Sequence, residues 1–301
     1  MDNQNSKYLS HIFEGGNDGD PIEEIVYLAG EINPRFDVEL LREIHKDLIS
    51  FFSGSHPGFR KNTMPYHNLR HSLMVVLASV RLFHGLHCNG VIISADTLFK
   101  GIVSSYFHDT GMLLKNEDPA ANGTVYITGH EDRSISYARD YITQKRFDKT
   151  IITDCATIIR YTELTSNPAT FAIHSNETKL AGQVVGSADI LAQMADRYYL
   201  ECLPLLFKEQ QAGGVNRYNS ALELMEHTAY FYHNVVLKRL VTTFSSTVDA
   251  MQTHFRKRHT IDRDLYLENI DNNISFLKKI LEECDDISCM DKYLKRSPPI
   301  I

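Results

Sequence analysis

The sequence predicts an all-α fold, and three observations carry that prediction. Apolar residues recur at the three- and four-residue spacing of helix faces, alternating strand-like runs are scarce, and capping residues stand where the periodic stretches begin. Asp20-Pro21 opens the first predicted helix, which runs to Ile32, because Asp suits an N-cap and proline suits the first helical position. Pro34 starts a longer one in which Leu40, Leu41, Ile44, Leu48, Ile49 and Phe52 fall at helical spacing, and Ser53 to Gly58 is a loop. After Pro65, the run from Leu73 to Leu86 is apolar on nearly every side, which predicts an interior helix. Ser94 or Asp96 caps the next helix, which delivers His108 and Asp109 at its C-terminal end ahead of Gly111.

Leu113 to Gly129 contains Pro119, Asn122 and Gly123 with little periodicity, and reads as a loop over or beside that His-Asp pair. Helices are predicted over His130 to Gln144 and Asp148 to Tyr161, followed by a polar loop over Thr165 to Asn176. Lys179 to Glu209 reads as one long helix or a pair bent near Pro204. Gly213-Gly214 marks a connection, Tyr218 to Met290 continues helically, and Arg296 to Ile300 reads as a frayed end. Residues 1–20 are taken as a flexible N-terminus, 21–212 as the core and 213–301 as a helical C-terminal extension that packs on the core or on a partner chain.

With 301 residues the chain can bury a substantial core, and 43% hydrophobic with 23% charged residues is ordinary for a globular protein. A formal charge of -7 argues against nucleic acid as a partner, so an anionic substrate would be drawn in by a metal's charge and a few local cations. Cys88, Cys155, Cys202, Cys284 and Cys289 show no metal-finger spacing and suggest no disulfide framework, which favours a reducing cytoplasm. Neither a leader-like N-terminus nor a run of about 18 apolar residues is present, so no membrane association is expected.

The chemistry concentrates in a few residues. His67 and His71 lie four positions apart on one helix face in Tyr66-His67-Asn68-Leu69-Arg70-His71, and His108-Asp109 adds an imidazole and a carboxylate from a second place in the fold. With Asp189 from a later helix, His71, His108 and Asp109 form a mixed nitrogen and oxygen set. Such a set suits Zn, Mn, Fe, Co, Ni or, with more water, Mg. An ion held this way keeps positions open for water and a substrate oxygen, as phosphoester cleavage requires. His67 is placed to give the leaving oxygen its proton, and Arg70 to neutralise a phosphate oxygen.

In order, Tyr66 to His71, Phe107-His108-Asp109-Thr110-Gly111, Gly129-His130-Glu131-Asp132-Arg133-Ser134 and Ala188-Asp189 resemble the HD-domain superfamily of metal-dependent phosphohydrolases. The first element is similar to the Tyr-His-Asn-x-x-His signature of class I cyclic nucleotide phosphodiesterases. The resemblance covers Tyr66 to Gln210. It implies an HD-domain-like multi-helix bundle with His71, His108, Asp109 and Asp189 as ligands, Asp109 bridging to a second ion, His130 helping to hold that ion, and His67 as general acid. The reaction it implies is attack by a metal-bound hydroxide on a phosphoester or phosphodiester of a nucleotide-like small molecule. A cyclic nucleotide is the leading candidate, and a homodimer is compatible with the chain.

Two departures bear on substrate. Met74 and Met112 stand where class I phosphodiesterases carry an Asp and a His, and their purine-clamping glutamine has no clear counterpart in the last third. A non-catalytic HD-type nucleotide-binding or signalling module is the rival reading. A diiron oxygenase would need a further histidine between His130 and Asp189, where only His174 is available, in a loop. His84, His87, His227, His233, His254 and His259 read as ordinary hydrogen-bonded histidines, and Met194, Met225, Tyr198, Tyr199, Tyr230, Phe231 and Tyr232 as core or interface.

Overall fold

The structure, a computed structural model, describes residues 12–15 and 20–298. Most of the segment read as a flexible N-terminus, and the last residues of the frayed end, lie outside them. The described residues form an all-helical bundle with no strand, in agreement with the periodicity. Its helices are α1 (Ile22–Ile32), α2 (Val38–Ser53), α3 (Leu69–Cys88), α4 (Ala95–Phe107), α5 (His130–Gln144) and α6 (Lys149–Ile159). They continue with α7 (Asn176–Met194), α8 (Tyr199–Ala212), α9 (Ala221–Phe231), α10 (Ala250–His259), α11 (Leu265–Glu283) and the single turn α12 (Ile287–Met290).

α3 is the axis of the bundle. From Leu69 to Gly85 every residue except His71 is buried, because α1, α4, α7 and α10 surround it. His71 is left facing an opening. α4 begins where Ser94 Oγ accepts a hydrogen bond from Thr97 N at 3.1 Å, so Ser94 is the cap of the two alternatives. α2 starts at Asp37, whose side chain accepts from Leu40 N at 2.9 Å, three residues after the proline that marked its beginning in the sequence.

The bend expected near Pro204 lies elsewhere. α7 stops at Met194 and α8 starts at Tyr199, with Pro204 inside α8. Asp196 Oδ1 accepts from Tyr198 N at 2.9 Å, and Asn273 of α11 donates to the carbonyls of Met194 and Asp196, both at 2.9 Å. The break is therefore fixed by a side chain from a distant helix, which local periodicity does not encode.

The last third shares the central core: Leu240, Phe244, Met251, Phe255, Ile270 and Leu277 belong to the same apolar cluster as Val75, Val103 and Val184. After α9 the chain stays helical through two wider π turns, Tyr232–Val236 and Arg239–Thr243. Cys284 and Cys289 form a disulfide between α11 and α12, contrary to the unpaired cysteines expected, because two helix ends bring their Cα atoms to 5.4 Å. Cys88, Cys155 and Cys202 are free thiols. No helix among the described residues is long and apolar enough to cross a membrane.

Candidate metal centre

Four separate helices contribute to one cluster. Asn68 caps α3 by accepting from His71 N at 3.2 Å, which sets His71 in the first turn. His108 and Asp109 follow the last residue of α4, His130 is the first residue of α5, and Asp189 comes from the middle of α7. Gly111 permits the approach of α5: a Cβ on it would lie 2.0 Å from the carbonyl oxygen of His130. Ser134 Oγ accepts from Gly111 N at 2.8 Å, and Arg133 Nε donates to Gly111 O at 2.8 Å, pinning that approach.

The donor atoms lie close together. His71 Nε2 is 3.3 Å from His108 Nε2, 3.5 Å from Asp109 Oδ2 and 3.2 Å from Asp189 Oδ1. His108 Nε2 is 3.3 Å from Asp109 Oδ2 and 3.6 Å from Asp189 Oδ1. Donors at bonds of about 2.0–2.1 Å around a tetrahedral ion stand about 3.3–3.4 Å apart, so the spacings within the His71, His108 and Asp109 group fit the edges of one face of such a polyhedron.

The tautomers point the same way. His108 Nδ1 donates to Ser105 O at 2.8 Å, which leaves Nε2 with a lone pair directed at its neighbours when the ring is neutral. Two imidazole nitrogens and two carboxylate oxygens at this spacing need positive charge among them. His130 repeats the pattern, with Nδ1 donating to Ile127 O at 2.9 Å and Nε2 3.3 Å from Asp109 Oδ1. Asp109 thus directs one oxygen toward His71 and His108 and the other toward His130, the arrangement of a carboxylate able to bridge two ions. His71, His108 and Asp109 form a group able to hold a metal ion, with Asp189 Oδ1 against both imidazoles.

Without an ion, protons supply the charge. Burial disfavours the charged ring of His108, but Asp109 and Asp189 outweigh it and hold its pKa well above the usual histidine value. Burial is likewise outweighed at the carboxylates: His108 and His130 hold Asp109 well below the usual range, and His108 and His71 bring Asp189 to about 2. His130 is raised to about 9 by Asp109, again against its burial.

A cavity of about 250 Å³ adjoins the cluster, and His67, His71, Asp109, His130 and Asp189 line one end of it. His67 Nδ1 donates to Glu209 Oε2 at 2.6 Å, and Glu209 Oε1 accepts from Tyr66 N at 2.6 Å. The amide of Gln193 donates to the Tyr66 hydroxyl. Arg70 goes elsewhere: it is buried in an ion pair with Asp196 and lies over the Tyr198 ring, and it does not line this cavity. The cations that do line it are Arg217 and Arg239. Arg239 is buried and donates to the carbonyls of Tyr161 at 3.2 Å, Glu163 at 2.7 Å and Leu164 at 3.0 Å.

The sequence reading therefore named His67, His71, His108, Asp109, His130 and Asp189, which the fold brings together. It missed Glu209, Arg217 and Arg239, whose positions follow from tertiary packing. The segment assigned to a C-terminal extension supplies Arg217, Tyr218, Phe231 and Arg239 to the cavity wall, so the site crosses the boundary placed at residue 212. Met74 and Met112 are buried, 5% and 1% exposed, and serve packing. His174 is exposed and outside the cavity lining.

No curated protein matches the chain. Residues 60–254 match the family described as Npun_R2479-like, a span holding every residue of the cluster together with His67 and Glu209, and the chain belongs to that family.

Proposed function

We propose that the protein is a metal-dependent phosphohydrolase that cleaves a phosphoester or phosphodiester of a nucleotide-like small molecule. The observation carrying this reading is the close group of His71, His108 and Asp109 donor atoms, 3.3 to 3.5 Å apart, with Asp189 Oδ1 3.2 and 3.6 Å from the two imidazoles, beside an open cavity. A divalent ion there supplies Lewis acidity toward a phosphoryl oxygen and toward water.

The chain's own groups do the rest. Glu209 holds the Nδ1 proton of His67 and so leaves Nε2 to exchange a proton with a leaving oxygen. Tyr66 N and the 2%-exposed burial of Glu209 fix that carboxylate, so the ring cannot swing away. Arg239 contributes a fixed positive charge whose donors are spent on backbone carbonyls, while the exposed Arg217 is free to meet an anionic group. Leu203, Leu206, Tyr218 and Phe231 offer apolar and aromatic walls to a planar portion of the substrate, and Gln210 an amide for its polar edge.

The test is a hydrolysis screen of the metal-loaded chain over cyclic nucleotides, nucleotides and simple phosphodiesters, beside Asp109→Ala. The reading expects turnover in the native protein and loss of both bound metal and turnover, by at least about 1,000-fold, in the variant. A metal-loaded native protein that binds a nucleotide and turns over none of these compounds is a binding module instead.

A further inference from the structure

A second group of metal-binding residues lies outside that cavity. Glu24 on α1 and His254 and His259 on α10 each place one donor atom within 4.8 Å of the others. His84 on α3 holds the other side of the His254 ring, with Nδ1 3.2 Å from His254 Nδ1, which leaves His254 Nε2 for the group. Cys88, one turn further on, sits with Sγ 3.7 Å from His84 Nε2. Gly85 makes the meeting possible: a Cβ there would lie 1.9 Å from the carbonyl oxygen of Ala250, so α3 and α10 touch backbone to backbone beside these rings.

The group has unused valence. His254 is 0% exposed, and its Nε2 is buried without a hydrogen-bond partner. The Nε2 of His259 is buried and unpartnered as well, and it stands 3.8 Å from Glu24 Oε1. A buried polar atom left unpaired costs about 1–3 kcal/mol, and two in one cluster call for a shared partner.

We propose that Glu24, His254 and His259 form a structural site for a zinc-class transition-metal ion that fastens α1 to α10 beside the axis helix α3. The surrounding charges select the ion. Arg258 grips Glu24 through contacts of 3.2 and 3.0 Å, and the Arg81 guanidinium lies close by, held by the Phe13 carbonyl at 2.8 Å and the Tyr266 hydroxyl at 3.1 Å. Two guanidiniums repel any cation, so an oxygen-seeking Mg or Ca ion has too little to gain from one carboxylate. An ion with strong imidazole bonds gains from each histidine. Arg258 then acts as the outer partner that orients the Glu24 carboxylate.

The experiment uses the full chain carrying Asp109→Ala, which disables the first cluster, so the outcome does not depend on the hydrolase reading. The protein is stripped with a chelator and titrated with zinc alone, and metal content and thermal midpoint are read. This variant is expected to bind about one zinc ion per chain and to melt higher when loaded. Adding His254→Gln, or the partly accessible His259→Gln if the first does not fold, is expected to weaken zinc binding by more than about 100-fold and abolish the rise. Failure of the Asp109→Ala chain to hold zinc, or undiminished zinc binding in a folded His254→Gln or His259→Gln chain, overturns the proposal.

Discussion

Glu209 decides what His67 can do. Its carboxylate fixes the tautomer of the ring from 142 residues away, and no local pattern marks it in the sequence. Glu209→Gln keeps the shape and removes the charge. It is expected to lower kcat by about 10- to 100-fold while leaving metal content unchanged, as measured by steady-state kinetics beside elemental analysis. An unchanged kcat removes His67 from the proton transfer. The reading of His67 and His71 as one helix face does not hold, since α3 begins at Leu69 after the Asn68 cap and His67 precedes it, but the His108-Asp109 pair was legible as a His-Asp dipeptide at a helix end. Arg70 was not. It shares the motif with His67 and His71, but Asp196 and Tyr198 capture it, and that capture depends on where α7 breaks.

Elements are placed by contacts that propensity does not report. The helix spans of α3, α4 and α5 follow from apolar period and caps, and the structure reproduces them closely. The break between α7 and α8 does not, since Asn273 determines it. Gly111 is the clearest case of an element set by one residue, because α5 reaches Asp109 only across its missing side chain. Gly111→Ala is expected to push His130 away from Asp109 and cost about 1–3 kcal/mol of stability, read as a lower thermal midpoint. Metal stoichiometry measured on the same variant is expected to show weaker retention. If both values match the native chain, α5 has slack that the packing denies.

At the scale of the whole molecule, charge at the cluster links stability to pH. In the metal-free chain, His130 has a pKa of about 9 against an ordinary 6.5, so its protonated form favours the folded state. That contribution is complete below 6.5 and is lost as pH climbs through 9, and the raised His108 acts in the same direction. Chelated protein is therefore expected to lose thermal midpoint as pH rises from 6.5 to 9. Metal-loaded protein, whose histidines no longer need protons, is expected to hold its midpoint over that range. Parallel melts of the two forms check this, and equal slopes contradict it. The all-helical class was readable from periodicity alone, whereas the sharing of one core by the last third, and its contribution to the cavity wall, came from packing between residues far apart in the chain.

The most direct measurement is anomalous scattering from a crystal of the protein grown with zinc or manganese. The account predicts one strong peak bonded to His71 Nε2, His108 Nε2, Asp109 Oδ2 and Asp189 Oδ1 at about 2.0–2.3 Å each. An intact crystal with those four side chains in place, joined only by protons and showing no peak among them, would contradict it.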